Sequence, residues 1–562
     1  MTAVRRWISI ICLSLTTISL SAQTTTTTTT QTQTTVTAAG QRTTQPVSAE
    51  TDKDLTDPNA MKLSLQDAFR TSMERNLGIS LQSYDYRMAG ESLRGQYGLY
   101  DWFAQGTLSR AKVKGTSQSG GTATTETDIA DIGVAQNLPA GGNYFLGFNN
   151  SKQGGSFSPN LALSATQPLL RNFGIDVTRR GILIARNTLG INREAFRLAL
   201  MNAALTVDQA YLDLVYARRN VEVVKESLFL ARDQSRITQI RIDVGASAPL
   251  DILQPRVQIA TTEEQLISAV ALVRSAEDRL RAVMNLPLSD WSRPIIPTDP
   301  VDYTPVTLDM NDSVTRAMEL RPELRQAQLT NDIRRVNYLY ARNQVLPQLD
   351  LNINYRAGTG RKLSAFDPLG NPIFTTPSYG DSLQQIGNLS FPSWTVGVNV
   401  GVPILNIGAR AEKKRAELDL EASRVDQAQT AQNVIVAVRS AARDVDTAQR
   451  TIVASRTARD AAEQNLEAER RRYENGMTTN FQVLTIQQQL SDARVRELQA
   501  QVGYAEALAN YHRQVGDILD VHSIAVDEPQ IAPEPVVFTL LDRYNWLNYG
   551  PIGTMNSGTM KK

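Results

Sequence analysis

Hydrophobic positions recur every seven residues over two long stretches of the chain. One row of apolar residues begins at Leu200 and a second at Ala203, and Val434 opens the same four-three spacing in the second stretch. Such a seam is typical of helices that pack along their whole length. The helical pattern covers residues 177–241 and 409–475. At 1.5 Å per residue each helix would be roughly 100 Å long, which predicts rods rather than a compact bundle.

Shorter helical patterns accompany each predicted rod. They cover residues 64–98 and 249–285 in the first half of the chain, and residues 309–343 and 480–518 in the second half. Two of them placed end to end match the length of one rod. The simplest packing is therefore a long helix beside two stacked short ones.

Between the first short helix and the rod of each half, the period changes from helical to alternating. Residues 349–356 and 394–402 alternate apolar and polar without a break. The first half alternates more weakly at residues 102–113 and 160–167, with an additional piece at residues 144–149. Period-two alternation predicts strands, and we interpret these segments as two strand pairs, four strands per chain.

The order of these parts occurs twice. Leu63 recurs as Leu308, and the Gln-Pro-Leu-Leu segment around Pro168 recurs as Val-Pro-Ile-Leu around Pro403. These two prolines mark predicted strand-to-helix junctions. Matches in the same order indicate an internal duplication. The predicted repeats cover residues 61–286 and 306–520, and a proline-rich linker at residues 287–305 joins them.

The two ends of the chain read differently from the repeats. Arg5 and Arg6 precede an apolar run and small residues, so residues 1–22 are predicted to be a secretory signal peptide. Residues 23–60 form a Thr/Gln-rich leader that is expected to be disordered. Residues 521–562 are interpreted as a poorly structured C-terminal tail. No later segment is apolar over the ~18 residues of a spanning helix, so a membrane crossing would have to use strands.

Composition excludes several classes of function. The chain has 58 basic and 57 acidic side chains, which gives no charge signature for nucleic acid. It has one cysteine, Cys12, and two histidines, too few for a Cys/His zinc site. No phosphate-binding glycine loop or HExxH motif occurs. We therefore expect no metal, no cofactor, no nucleic-acid partner and no enzyme activity.

Four strands in lipid cannot remain an open sheet, because the edge backbone groups would have no hydrogen-bond partners. The chain is therefore expected to associate with copies of itself, and three copies would give twelve strands. Two or four copies are also compatible with this argument. The predicted fold is a mixed α/β membrane protein in which a strand barrel continues into long helical rods.

Particular segments then resemble a known family. Residues 401–408 read GVPILNIG and lead into the charged, alanine-rich helix from Ala409, and Gly476 precedes Phe481-Gln-Val-Leu at a helix turn. Together with the repeated halves, these segments resemble the outer-membrane efflux proteins, the TolC-like channels. The resemblance covers the chain from about Leu63 to Ile518.

This resemblance implies a homotrimer with a 12-stranded β-barrel in outer-membrane lipid, continuous with a periplasmic α-helical barrel. It implies a place in the outer membrane of a Gram-negative bacterium, extending into the periplasm. The implied function is the exit duct of a tripartite efflux or type I secretion system, with a periplasmic adaptor and an inner-membrane pump as partners. The rival hypothesis is a secreted periplasmic coiled-coil scaffold without transport activity.

The two helical turns can be interpreted physically and through the family. A glycine suits the left-handed residue that ends a helix, an arginine in the last turn complements the helix dipole, and a hydroxyl caps the next helix. Any tight helical hairpin needs these features, but the family makes the turns the place where the adaptor docks. The predicted docking residues are Arg241, Gly245, Ser247, Leu253, Arg472, Gly476, Thr478 (or Thr479 as the cap) and Leu484.

The periplasmic gate is where the sequence departs from some relatives. The family pattern has acidic residues six and nine positions after the inner glycine, where this chain has Gln482 and Thr485. The corresponding acid of the first half is Asp251. An acidic ring is therefore not expected, and Tyr473 is the candidate for uncharged closure.

Overall fold

The computed structural model describes residues 59–116, 122–153, 156–300 and 303–533. The predicted signal peptide at residues 1–22 lies outside these ranges. So do residues 23–58 of the predicted leader and residues 534–562 of the predicted tail.

Helices make up most of the described chain. The longer ones are α1 (Leu65–Arg75), α2 (Leu77–Tyr97), α3 (Arg180–Asp243), α4 (Leu253–Met284), α5 (Met310–Leu320), α6 (Pro322–Gln344), α7 (Tyr379–Gly387), α8 (Ile407–Glu474) and α9 (Asn480–Val515). The predicted rods correspond to α3 with 64 residues and α8 with 68 residues, or about 96 and 102 Å. None of the described helices is long and apolar enough to cross a membrane.

The heptad rows predicted from the sequence form the buried seams of the two long helices. On α3 the side chains of Leu214, Ala217 and Val221 are buried, and on α8 those of Val438 and Val445 are buried. Helix α3 contacts α4 and α9, whereas α8 contacts α9 and α6. The alanines in these rows let neighbouring helices approach closely, and the cluster of buried side chains around Leu214 joins α3 to α1 and α4.

The first predicted short helix of each half is two helices. Asn76 separates α1 from α2, and its side-chain Oδ1 accepts hydrogen bonds from the backbone N–H groups of Gly78 (2.8 Å) and Ile79 (3.2 Å). In the second half, Arg321 precedes Pro322, and a residue before proline is disfavoured in helical conformation. Both breaks therefore follow from local chemistry that the periodicity does not contain.

The described strands form one large antiparallel sheet and two small ones. The large sheet has the order β10–β7–β5–β4–β3–β2. Its strands are β2 (Phe103–Thr116), β3 (Thr122–Asn137), β4 (Asn143–Gln153), β5 (Ser156–Pro168), β7 (Gln348–Gly358) and β10 (Phe391–Gly401). The small sheets pair β1 (Met61–Leu63) with β6 (Ile295–Pro297), and β8 (Lys362–Phe366) with β9 (Pro372–Thr375).

The prediction of four strands per chain is wrong, because the large sheet has six. β4 contains the additional alternating piece, and β3 was not predicted at all. The outer part of the β2–β3 hairpin carries ion pairs, with Arg110 Nε 2.6 Å from Asp128 Oδ1 and Lys112 Nζ 2.5 Å from Glu126 Oε1. From Thr124 to Asp128 the side chains of β3 are polar on both faces, which removes the alternation that sequence analysis depends on.

The large sheet has one apolar and one polar face. Directly opposed side chains form rows that run across all six strands. An apolar row contains Trp394, Tyr355, Leu163, Leu146, Val134 and Ala104. A row on the other face contains Ser393, Arg356, Ala162, Gly147, Gly133 and Gln105. Much of the apolar face is exposed, for example Val398 at 58% and Ile132 at 65%. An apolar surface of this extent marks contact with lipid or protein.

Two segments predicted to be irregular take part in the packing. In the proline-rich linker, β6 pairs parallel to β1, and the side chain of Ile295 is fully buried. In the predicted tail, residues 521–533 lie along the helices. Glu528 bonds to Arg193 Nε at 2.7 Å, and His522 Nε2 lies 3.0 Å from Asp208 Oδ2. The described start of the tail is therefore part of the fold, held by polar contacts that its composition did not indicate.

Candidate docking site at the paired helical turns

The far ends of α3 and α8, remote in sequence from the strands, turn by the same backbone motif. The N–H of Gly245 bonds to the carbonyl of Ile242 at 3.0 Å, and that of Ala246 bonds to Arg241 at 2.7 Å. In the second half, Gly476 bonds to Tyr473 at 3.1 Å, and Met477 bonds to Arg472 at 2.9 Å. This pair of bonds is the Schellman motif, which satisfies the last carbonyls of a helix.

The glycines in these turns are required by backbone conformation and not by lack of space. Gly245 has φ +77° and Gly476 has φ +73°, and no neighbouring atom lies within 4 Å of a Cβ placed on either one. A side chain would therefore point into open space, but an L-residue pays about 1 kcal/mol or more for the left-handed backbone. Asparagine adopts this conformation more readily than other residues.

The start of the following helix differs between the two turns. Thr479 is the N-cap of α9, and its Oγ1 accepts the N–H of Gln482 at 3.4 Å. Thr478 Oγ1 instead donates to Glu469 Oε1 at 2.5 Å. In the first turn the capping residue is Ala248 and not Ser247, and the Ala248 N–H donates to Asp251 Oδ2 at 3.0 Å. The hydroxyl cap predicted at Ser247 is thus replaced by the carboxylate of Asp251, three residues after the capping residue Ala248, and Pro249 occupies the first position of the turn.

The two turns contact each other through Arg241. Its guanidinium lies 4.3 Å from the ring centroid of Tyr473, and Nη2 donates to the carbonyl of Glu474 at 3.2 Å. A cation over an aromatic face is stabilising by about 0.5–2 kcal/mol. Seven residues before Arg241, Gln234 Nε2 donates to Asn480 Oδ1 at 2.7 Å in a buried position. Arg241 therefore acts between the two hairpins as well as at its own helix end.

Tyr473, the predicted gate residue, is packed inside the chain. Its side chain is 6% exposed and lies in a cluster with Leu466, Val483 and Ile486 of the second hairpin and Ile237 of the first. In this arrangement Tyr473 holds the two turns together. Its role in closure stays a prediction, as do the roles of the other three gate candidates.

Those three candidates lie in different surroundings. The carboxylate of Asp251 is bound within its own turn, while Gln482 is exposed on the first turn of α9. Thr485 Oγ1 donates to the carbonyl of Phe481 at 2.9 Å and lines a groove.

That groove lies between the first turns of α4 and α9 and has a volume of about 510 Å³. Its lining includes both leucines that the sequence singled out, Leu253, which is 53% exposed, and Leu484, which is 6% exposed. Val257 and Phe481 are exposed at its rim. Gln258 Nε2 donates to Gln488 Oε1 at 3.0 Å across the groove. The surface is apolar with amide groups, which suits another helix better than an ion.

The strand-to-helix junctions lie at the opposite ends of α3 and α8. Pro168 is the last residue of β5, and Pro403 lies between β10 and α8. Proline donates no backbone hydrogen bond and so ends a strand ladder. Asn406, with φ +47°, turns the chain into α8 and donates through Nδ2 to the carbonyl of Val345 at 2.9 Å.

Sequence reasoning found the turns but missed the contacts between them. The Arg241–Tyr473 stacking and the Gln234–Asn480 bond join residues more than 200 positions apart, and no periodicity signals such pairs. Among the described residues, no group of His, Cys, Asp and Glu side chains could hold a metal ion.

Comparison with known proteins now identifies the architecture. A model of the outer membrane efflux protein family matches residues 135–286 and 314–516, which is more than half of the chain. The chain belongs to the outer membrane efflux protein family. It is 22% identical over 475 residues to outer membrane protein TolC of Escherichia coli (strain K12), covering 82% of this chain and 90% of that protein. It is 23% identical over 326 residues to outer membrane protein TolC of Vibrio cholerae serotype O1, covering 57% of this chain and 70% of that protein.

Solved structures of outer-membrane channels share the fold. OprN superposes with a TM-score of 0.59 at 16% identity, covering 83% of this chain and 91% of that one. VceC from Vibrio cholerae superposes with a TM-score of 0.59 at 14% identity, covering 80% and 96%. The chain is accordingly an outer-membrane efflux channel protein that extends into the periplasm, and the family consists of channels rather than enzymes.

Proposed function

We propose that three copies of this chain form the exit duct of a tripartite efflux or type I secretion system. In this proposal the large sheets close into a barrel in the outer membrane, and α3 and α8 line a duct through the periplasm. A periplasmic adaptor docks at the paired turns and connects the duct to an inner-membrane pump. The observation that carries the proposal is the continuous, exposed apolar face of the sheet at one end of two helices of about 100 Å.

The dimensions of the sheet support a place in lipid. A strand needs about 9–11 residues to cross the hydrocarbon core, and the strands of this sheet have 11 to 16 residues. The polar face carries Arg356 and Asn352, which suit a water-filled lumen. Trp394 and Tyr355 lie opposite each other near the far end of the apolar face. Aromatic residues at the border of an apolar band are typical of membrane strands.

The groove between α4 and α9 supports an adaptor site. Exposed apolar side chains such as Leu253, Val257 and Phe481 surround it, and they form part of the turns that lie farthest from the sheet. A helix with apolar residues on one face would cover them. This is the same surface that the family resemblance assigns to docking.

A matched pair of substitutions on β10 tests the membrane role. Val398→Arg places a charge on the apolar face, where arginine costs about 2–4 kcal/mol at the membrane midplane. Asn399→Arg, at the next residue of the strand, places the same charge on the polar face of the sheet. We expect Val398→Arg to lower the amount of protein in the outer-membrane fraction several-fold and Asn399→Arg to leave it unchanged. Equal effects of the two variants would contradict the proposal.

The scaffold hypothesis predicts a different result for the same two variants. A secreted scaffold would tolerate arginine at Val398, since this side chain is already 58% exposed to water in the single chain. It would also show no conductance in planar lipid bilayers, whereas a duct conducts. A soluble periplasmic protein without conductance would therefore establish the scaffold.

Substitutions at Gly476 test the docking role of the turns. We expect Gly476→Trp to block efflux while trimers reach the membrane in normal amounts, because the left-handed backbone and a bulky exposed side chain together distort the docking surface. Gly476→Asn is the control, since asparagine accepts φ +73° at lower cost. Full efflux by Gly476→Trp at normal trimer abundance would refute docking at this turn.

A further inference from the structure

The large sheet has two free edges that match each other. β2 and β10 are the outermost strands, with 14 and 11 residues paired on one side only. Their ladders to β3 and β7 run without a bulge, and within both edges the one proline is Pro392, near the outer end of β10. Natural sheets that end in solvent interrupt their edges with prolines, bulges or charges. Over the apolar band, both edges lack these features and are suited to pairing.

The directions of the two edges also fit. Every neighbouring pair in the sheet is antiparallel. Because the sheet has an even number of strands, β2 of one copy would run antiparallel to β10 of the next. The antiparallel alternation would continue across the boundary between copies, without a parallel pair of strands.

The apolar band drifts along the sheet by a regular amount. On β10 it is centred on Gly397, between Trp394 and Val400, and on β2 it is centred on Gly106, between Ala104 and Leu108. The row through Gly106 reaches β10 at Pro392, five residues from the band centre after five strand steps. One residue of ~3.3 Å per strand spacing of ~4.8 Å corresponds to a tilt of about 35°. Membrane barrels have strand tilts of about 35–45°.

We propose that all six strands belong to the barrel wall, with β2 of each copy pairing with β10 of the next, so that three copies form 18 strands. This inference rests on the proposed function for the trimer, and it departs from the 12 strands that the family resemblance implies. The family match begins at residue 135, near the end of β3, so the β2–β3 hairpin lies almost wholly outside it. Yet the apolar face extends over β2 and β3 without a gap.

The extra strands change the size of the lumen. Barrel diameter grows in proportion to strand number, so the barrel would be half again as wide as one with 12 strands. At a tilt of about 35° and ~4.8 Å between strands, the backbone diameter is about 34 Å instead of about 22 Å. The outer-membrane part of the duct would then admit wider cargo than a four-strand copy would allow.

The band drift also predicts the register of the boundary. Continuing by one residue across the next strand step places Gly106 opposite Val398 of the neighbouring copy, and hence Ser109 opposite Thr395. Both Ser109 and Thr395 lie on the polar face. Within one chain they stand on opposite edges of the sheet, separated by five strand spacings, at least about 24 Å, so only two different copies can bring them together.

Cysteine cross-linking of the membrane-embedded full-length protein tests this register. Cys12 is the one cysteine of the chain and lies in the predicted signal peptide, so introduced cysteines have no competitor in the mature protein. Ser109→Cys/Thr395→Cys reports the six-strand boundary. Asn149→Cys/Thr395→Cys is the matched control, because it reports the boundary that would form if β4 were the edge and each copy supplied four strands. Ser109→Cys with Ser393→Cys or Gly397→Cys covers a slip of two residues.

We expect oxidation to link Ser109→Cys/Thr395→Cys into a covalent trimer on denaturing gels, while the Asn149 pair stays monomeric. Linking of the Asn149 pair alone would overturn the 18-strand wall and leave the duct function intact. Failure of all four pairs in a protein that inserts and conducts would overturn it too. A series of cross-linked bands that ends at a number of copies other than three would keep the edge pairing but overturn the count of 18 strands. If the unsubstituted protein neither inserted into the membrane nor conducted, that result would instead count against the proposed function.

Discussion

A buried charge cluster joins the end of α4 to α3 and to the linker strand β6. Glu277 Oε1 accepts from Arg218 Nη2 at 2.7 Å and from the N–H of Ile295 at 3.1 Å, and Oε2 accepts from Arg281 Nη2 at 3.0 Å. The side chain of Arg218 is 9% exposed, that of Glu277 is 8% exposed and that of Arg281 is 5% exposed. Arg218 therefore depends on a carboxylate that water barely reaches, whereas Arg281 has a second partner in Asp278, with Nη1 2.8 Å from Oδ1.

Removing that carboxylate should be costly. Breaking a buried ion pair by removal of one partner costs about 3–5 kcal/mol, because the remaining charge is left without compensation. The orphaned N–H of Ile295 adds about 1 kcal/mol or more. We expect Glu277→Leu to lower the free energy of unfolding by about 3–6 kcal/mol. Glu277→Gln should lower it less, since the amide oxygen still accepts one of these bonds.

Urea unfolding of the purified protein in detergent, followed by far-UV circular dichroism, measures the change. The control is Glu74→Gln, which breaks the Arg70–Glu74 pair at 3.5 Å, where the side chains are 81% and 61% exposed. An exposed pair of this kind contributes at most about 1 kcal/mol. The reasoning fails if Glu277→Leu costs no more than the control.

A double substitution separates the pair from general damage to the core. In Arg218→Met/Glu277→Leu one orphaned charge is gone, so the double variant should be more stable than the sum of the single costs predicts. Independent sites add within about 0.3–0.5 kcal/mol. Additive costs would show that Arg218 and Glu277 are not coupled as their 2.7 Å contact implies.

Three further outcomes are expected. Burial raises the pKa of Asp517, but its bond with His512 Nδ1 at 2.9 Å and the charge of Arg316 outweigh this and hold the pKa below its usual value. The stabilisation by this carboxylate is therefore present at neutral pH and is lost as pH falls through the folded pKa. In urea unfolding, Asp517→Asn should lower the free energy of unfolding by about 1–3 kcal/mol at pH 7 and by progressively less below about pH 4. A difference between the two proteins that does not change with pH would refute this. Arg241→Ala should speed backbone hydrogen exchange at both turns by removing the contact with Tyr473, whereas Arg236→Ala, whose exposed partner Asp233 lies on the same helix, should not. Trivalent cations should block single channels weakly, and Gln482→Asp should strengthen the block; strong block of the unsubstituted channel would contradict the absence of an acidic ring.

The sequence alone was enough for the two long helices and for the glycines that end them. Heptad rows such as Leu214 and Val221 need no partner to be recognised, since the period of a helix is a local property of the chain. The glycines at the turns follow in the same way, because φ +77° and φ +73° are positions that glycine adopts without strain. The resemblance to the family rested on local segments of the same kind, and the family match confirms the membership.

The tertiary structure decided the number of strands and the contacts between the turns. β3 has no alternation in its outer half, where Asp128 and Glu126 pair with β2, so its membership of the sheet depends on neighbours and not on its own pattern. The stacking of Arg241 on Tyr473 and the bonds of Glu277 join segments far apart in the chain. Sequence periodicity reports what one segment buries, whereas only the folded chain shows which other segment buries it.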